Sequence, residues 1–222
     1  MPIEYSKGRT PGSGVNLSKV TLTKNAPTVS LSKQGGSAGG ELRVNLNWTA
    51  RPARSGGGVF GRGSESASDI DLDLACLYEL TDGTKGVVQA LGNSLRSRNI
   101  GSAIIALDGD DRTGESVDGE NLRIDLSRLA EIRRILVFAY IYEGSPNWSG
   151  ANGVVTLYPQ GGAPIEVRLD ESDPTARTCA IAMLENTGAD LSVRREVRYI
   201  NGTQSALDAA YGWGMKWTKG RK

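Results

Sequence analysis

The stretch Asp69-Ile70-Asp71-Leu72-Asp73-Leu74 leaves this chain few ways to fold. Strict alternation of acidic and apolar residues fits a strand, whose side chains point to opposite faces with a period of two. Extended, it puts Asp69, Asp71 and Asp73 on one face and Ile70, Leu72, Leu74 and Cys76 on the other. The apolar face belongs in a core. The acidic face is costly, because Asp is depleted in strands and like charges on one face repel. Two carboxylates ~5 Å apart repel by roughly 1 kcal/mol in water, and several-fold more beside a low-dielectric surface. Positive charge is therefore expected over that face.

A second acidic stretch, Asp108-Gly109-Asp110-Asp111-Arg112-Thr113-Gly114-Glu115, runs on to Asp118-Gly119-Glu120 and contains a single base, Arg112. Protein charge cannot easily neutralise both stretches, whereas a hard divalent cation can. The chain has no histidine, which removes the commonest general base, the Ser-His and Cys-His pairs, and most zinc ligation. What remains in quantity is carboxylate, amide, hydroxyl and backbone oxygen, a donor set that selects calcium, magnesium or manganese. Several acids on a glycine-containing loop suit the loose, many-oxygen shell of calcium better than the strict octahedron of magnesium. The loop is no EF-hand. Counted from Asp108, its fifth position is Arg112 and its sixth Thr113, where that motif needs an acid or amide and then glycine. The expected ligands are thus Asp110, Asp111, Asp118 and Glu120 from the second stretch, with Asp69, Asp71 and Asp73 from the first.

The rest of the chain reads as strands. Leu42, Val44, Leu46 and Trp48 share a face of one, and Thr81-Asp82-Gly83-Thr84 closes a hairpin after Leu80. Further strands are expected over 86–91, 103–107, 122–126, 134–142, 153–158, 165–169 and 178–184, and one whose shared face is Leu191, Val193, Val197 and Tyr199. Short helices fit 127–133 and 204–211. The fold class is all-β, a β-sandwich with a few short helices. A loose arm precedes residue 14, one domain covers 14–215, and the basic residues 216–222 form a solvated tail. The alternative of two small β modules lacks a linker. The Gly/Ser/Arg-rich loop 51–68 is long enough to be a lid or a partner surface. Cys76 and Cys179 sit among apolar residues, as buried thiols of a reducing compartment do. The start has no apolar signal core and no run approaches the ~20 apolar residues that cross a bilayer, so a cytoplasmic location is expected. Net charge of +1 gives no case for nucleic acid.

The order of motifs is Gly14-Val15-Asn16-Leu17-Ser18-Lys19, then Val29-Ser30-Leu31-Ser32-Lys33, the strand Asp69 to Asp73 and the loop Gly109 to Glu115. In this it resembles the TerD family of bacterial tellurium-resistance and general stress proteins, over roughly residues 14 to 215. The resemblance implies a calcium-binding β-sandwich without catalysis. It also implies assembly with other tellurium-resistance proteins, some of them membrane-bound. By position, Asp69, Asp71, Asp73, Asp110 and Glu115 match family acids. Asp111 stands where the family often has Asn, and Thr113 and Gly114 match loop positions that offer backbone oxygens. The family continues after that glutamate with a dense Gly/Asp run. Here the chain reads Ser116-Val117-Asp118-Gly119-Glu120-Asn121, which leaves a second ion weak or absent. Two other functions stay open: calcium-dependent docking to anionic lipid or glycan, and glycoside hydrolysis by paired carboxylates with Trp48 and Trp148 as sugar platforms.

Overall fold

The computed structural model describes residues 18–35, 39–49, 70–108, 119–171 and 173–218. Along the chain the strands are β1 (Val20–Thr21), β2 (Thr28–Ser30), β3 (Glu41–Asn47), β4 (Asp71–Leu80), β5 (Lys85–Val88) and β6 (Ile105–Leu107). They continue as β7 (Glu120–Asp125), β8 (Ile132–Glu143), β9 (Gly153–Pro159), β10 (Ile165–Leu169), β11 (Thr178–Asn186) and β12 (Leu191–Ile200). Two α-helices are described, α1 (Trp148–Ala151) and α2 (Gln204–Tyr211), and a 3-10 segment over Leu126–Glu131 joins β7 to β8.

The strands form two six-stranded sheets, ordered β1-β10-β9-β3-β7-β6 and β2-β12-β11-β8-β4-β5. Every pairing is antiparallel except β1 on β10. The sandwich follows from the alternation. Leu42, Val44 and Leu46 of β3 and Leu122 and Ile124 of β7 meet Leu72, Leu74 and Cys76 of β4 and Ile135 and Val137 of β8 in one buried cluster. The expected shared face Leu191, Val193, Val197 and Tyr199 also turns to this core. The hairpin after Leu80 forms as expected, with the Asp82 carboxylate accepting the Thr84 amide at 2.8 Å.

Alternation fails on β11 where the sequence did not betray it. On β11, Cys179 and Ile181 face the core, but so do Ala182 and Leu184. The register with both neighbours jumps between Ala180 and Ala182, and opposite the jump Val197 of β12 takes φ +39. A bulge supplies the extra residue and reverses which parity points inward.

The outer face of the second sheet is covered. Ala75, Leu77, Leu136, Phe138, Tyr140, Ala180 and Met183 lie beneath Leu207 of α2 and Trp213, with Met215 and Trp217 packed at the margin. The Asp208 carboxylate secures this cover. It accepts the Gly214 and Met215 amides at 2.8 and 3.0 Å and the Trp217 indole at 3.1 Å. Trp217 thus packs onto the domain, although the basic character of 216–222 reads as a solvated tail. Along one side, residues 95–97 run against β6, with Ser97 N–H on the Ile105 carbonyl at 2.8 Å and Leu107 N–H on that of Leu95 at 2.9 Å.

Candidate functional site

The carboxylates of β4 do not form the open acidic ribbon that alternation alone suggests. Every residue of the strand is buried, Asp71 being 8% and Asp73 0% exposed. They lie on the outer face of the second sheet, Asp73 in register with Tyr140 and Asp71 with Glu143 on β8. Further along the same face the polar pair gives way to Ala75 and Leu77, which the helical cover buries. Burial rather than repulsion between neighbours is therefore the larger cost of these acids, since a carboxylate in a low-dielectric setting needs compensation.

Glu120 comes from the other sheet. It opens β7 on the face shared with Leu122 and Ile124, is 2% exposed, and accepts the Leu74 amide of β4 through Oε2. The reason is local. β5 pairs with β4 only from Cys76 to Glu79, so the Leu74 N–H stands beyond the reach of that neighbour. A carboxylate from the opposite sheet takes the place of the missing strand. Gly119 makes the approach possible. It holds φ +58, and a Cβ there would sit 2.3 Å from the Leu46 carbonyl oxygen. Beside it Asn45 Nδ2 donates to Asn121 Oδ1 at 3.0 Å and to the Glu120 carbonyl at 3.4 Å.

One phenol registers both acids. Tyr140 is pushed far above the ordinary tyrosine range, first by burial, then by the Asp73 carboxylate, with Glu120 acting in the same direction. Tyr140 lies in an apolar run, where sequence reasoning sees only core. Trp48 belongs to the same end, its indole donating to the Ile70 carbonyl at 3.2 Å just before β4 starts.

Of the expected ligands, the described structure therefore brings Asp71, Asp73 and Glu120 to one end of the sandwich. Asp69, Asp110, Asp111, Thr113, Gly114, Glu115 and Asp118 lie outside the described residues. Among the described residues no group of three or more His, Cys, Asp or Glu side chains is placed to hold a metal ion. Asp71, Asp73 and Glu120 have the hard-oxygen chemistry that calcium takes, without completing a shell by themselves.

Other chemistries fare worse. Trp48 and Trp148, the candidate sugar platforms, are 4% and 1% exposed, and Trp148 is locked by its indole on the Ala176 carbonyl at 2.8 Å. Neither can stack on a glycan. Cys76 and Cys179 are buried and free, and burial raises both thiols far above their ordinary range, which keeps them neutral. No helix among the described residues is long and apolar enough to cross a membrane.

No family model matches the chain. It is 45% identical over 210 residues to a tellurium resistance protein TerA from an Alcaligenes species. That match takes in 94% of this chain and 60% of the relative, so the chain spans about three-fifths of the length of the curated relative it matches. Two crystal structures share the fold. A homologue of the telluride resistance protein TerD from Streptomyces coelicolor A3(2) superposes with a TM-score of 0.53 at 20% identity, over 76% of this chain and 94% of that one. A protein of unknown function, SAV2460, gives a TM-score of 0.52 at 14% identity, over 77% of this chain and 95% of that one.

Proposed function

We propose that this chain, 45% identical over 94% of its length to a TerA tellurium resistance protein, is a member of the TerD/TerA family that acts as a non-enzymatic, calcium-binding interaction module. Calcium would bridge the start of β4 to the chain preceding β7, with Asp71, Asp73 and Glu120 among its oxygen donors. Asp69 and the acids of 110–118 would complete the shell. What supports this reading is that Asp71 and Asp73 of one sheet and Glu120 of the other are buried at the same end of the sandwich, with Glu120 accepting the Leu74 amide next to Asp73. A cation shared across that junction would tie the sheets together and fix the surface a partner reads. The partners are other tellurium-resistance or stress proteins, some membrane-associated, met in the cytoplasm. Direct thiolate chemistry on tellurite is disfavoured by the two neutral, buried cysteines.

Isothermal titration of the metal-stripped full chain with calcium, paired with thermal unfolding, tests the reading. Saturable binding of one or two ions is expected. A ligand held only by the folded state adds about 2.7 kcal/mol at a hundredfold excess over its dissociation constant. Asp71→Asn should remove the calcium-dependent part of the rise in melting temperature. A stripped sample that melts identically with and without calcium defeats the proposal. Pelleting with phosphatidylserine vesicles only in calcium would transfer the site to lipid docking.

A further inference from the structure

At the end of the sandwich away from Asp71 and Glu120, the turn between residues 97 and 105 is held by side chains from every direction. Asn99 accepts the Ser97 hydroxyl at 2.7 Å and the Ile104 amide at 3.2 Å, and donates to the carbonyls of Ile100 at 3.1 Å and Ser102 at 2.7 Å. Ser97 Oγ in turn accepts the Ile104 and Ile105 amides, each at 3.0 Å. Arg128, from the 3-10 segment, reaches over to the Ser102 and Ile100 carbonyls at 2.6 and 3.1 Å. Tyr78 of β4 anchors the near side by accepting the Arg98 amide at 2.9 Å. Gly101, at φ +80, gives the left-handed step that closes the turn.

All this scaffolding presents one apolar side chain to water. Ile100 is 93% exposed, while the other exposed large hydrophobics among the described residues, Tyr142 and Tyr158, reach only 37%. The isoleucine adds nothing to the core, and the turn is closed without it. Arg96 and Arg98, four and two residues before it in the chain, are exposed and make no ion pair among the described residues, whereas Arg128 is tied to Glu131 at 2.6 Å. A lone exposed isoleucine is ordinary. One on a turn this heavily hydrogen-bonded, preceded in the chain by two guanidiniums without an ion pair among the described residues, is preorganised for contact, which lowers the ordering cost of binding.

We propose that this turn is a docking knob for an acidic protein partner: Ile100 enters an apolar socket, and Arg96 and Arg98 meet carboxylates on its rim. A membrane fits poorly, because stable anchoring takes a larger apolar face or a second signal than one isoleucine provides. Arginine is among the residues enriched at interface hot spots. The knob stands at the opposite end from the proposed calcium donors, so its function and theirs fail separately.

The test uses the full chain in its native cells with the photo-crosslinker p-benzoylphenylalanine in place of Ile100, and the same probe at Asp82 as a control at the same end. Mass spectrometry should map the position-100 crosslink onto an apolar patch rimmed by Asp or Glu on another protein, unchanged by EGTA. With that protein purified, Ile100→Asp should weaken binding more than tenfold at unchanged melting temperature. Arg96→Ala with Arg98→Ala should weaken it several-fold and flatten its salt dependence. The proposal is overturned by crosslinks to lipid, to a second copy or to nothing. It is equally overturned by a patch lacking carboxylates, or by Ile100→Asp binding within twofold of the parent.

Discussion

The two outer faces of this sandwich solve the same problem in opposite ways. On the first sheet the outward residues of β3, β7 and β9 include Arg43, Asn121, Arg123, Thr156 and Tyr158, which meet water or one another, and the buried Asn45. Arg43 stacks 4.2 Å over Tyr158 and donates to Asn121 at 2.9 Å, and Arg123 binds Glu41 and Asp108, each at 2.6 Å. On the second sheet the outward residues beyond Asp71 and Asp73 are largely apolar, Ala75, Leu77, Leu136 and Phe138 among them, and the chain returns with α2 and Trp213 to cover them. A polar face is finished when its strands pair. An apolar face stays unfinished until a distant segment docks, so much of the second sheet's stability is lodged in the last described residues.

That contrast can be broken by experiment. The largest effect is expected at Trp213, which is 1% exposed, donates to the Tyr78 carbonyl at 3.1 Å and lies under Arg134 at 3.9 Å. Trp213→Ala should cost about 3–5 kcal/mol in urea unfolding. If it costs no more than a substitution on the bare face, the cover is an ornament and the comparison collapses.

A middle effect separates two glutamates, one per face. Glu79 is gripped by Arg133 and Arg134, each at 2.7 Å, and Glu166 by Lys19 at 2.6 Å and Arg168 at 3.0 Å. Burial pushes each carboxyl up, but the hydrogen bonds and charges of the cations outweigh it, and both end below the ordinary value of 4.5. The stability they add is complete above that value and lost as the pH falls through the lower folded one. Glu79→Gln should cost about 2 kcal/mol at pH 7, the exposed Arg133 end being screened by solvent. It should also flatten the acid side of the stability profile more than Glu166→Gln does. Equal slopes would show that the cover does not matter to the charge beneath it. The smallest effect belongs to the bare face, where Tyr158→Ala should cost about 0.5–1 kcal/mol, the worth of an exposed cation–π contact.

What could be read from the sequence was whatever repeats with a period of two. The alternation of β3, β4 and β7, the Asp-Gly hairpin and the span of α2 are visible because each residue announces its own environment. The bulge on β11 is invisible, because Ala180-Ile181-Ala182 reads as uninterrupted strand and only the partner's register shows the skipped residue. The cover was missed because Trp213 and Trp217 sit among glycine and lysine, a composition shared with loose ends, while the carboxylate that fastens them, Asp208, lies in α2. At the candidate site, the interest of Asp71, Asp73 and Glu120 was legible from charge alone. That Glu120 would serve as a surrogate strand for Leu74 was not, because the shortness of β5 is decided by tertiary contacts.

The borders of the two sheets carry a last consequence. β1 has two residues, β2 three and β5 four, and residues 95–97 close off β6. Among the described residues, the outermost strands offered to a foreign strand are short at all four borders. Such borders give the strands of an unfolding neighbour little to be recruited onto.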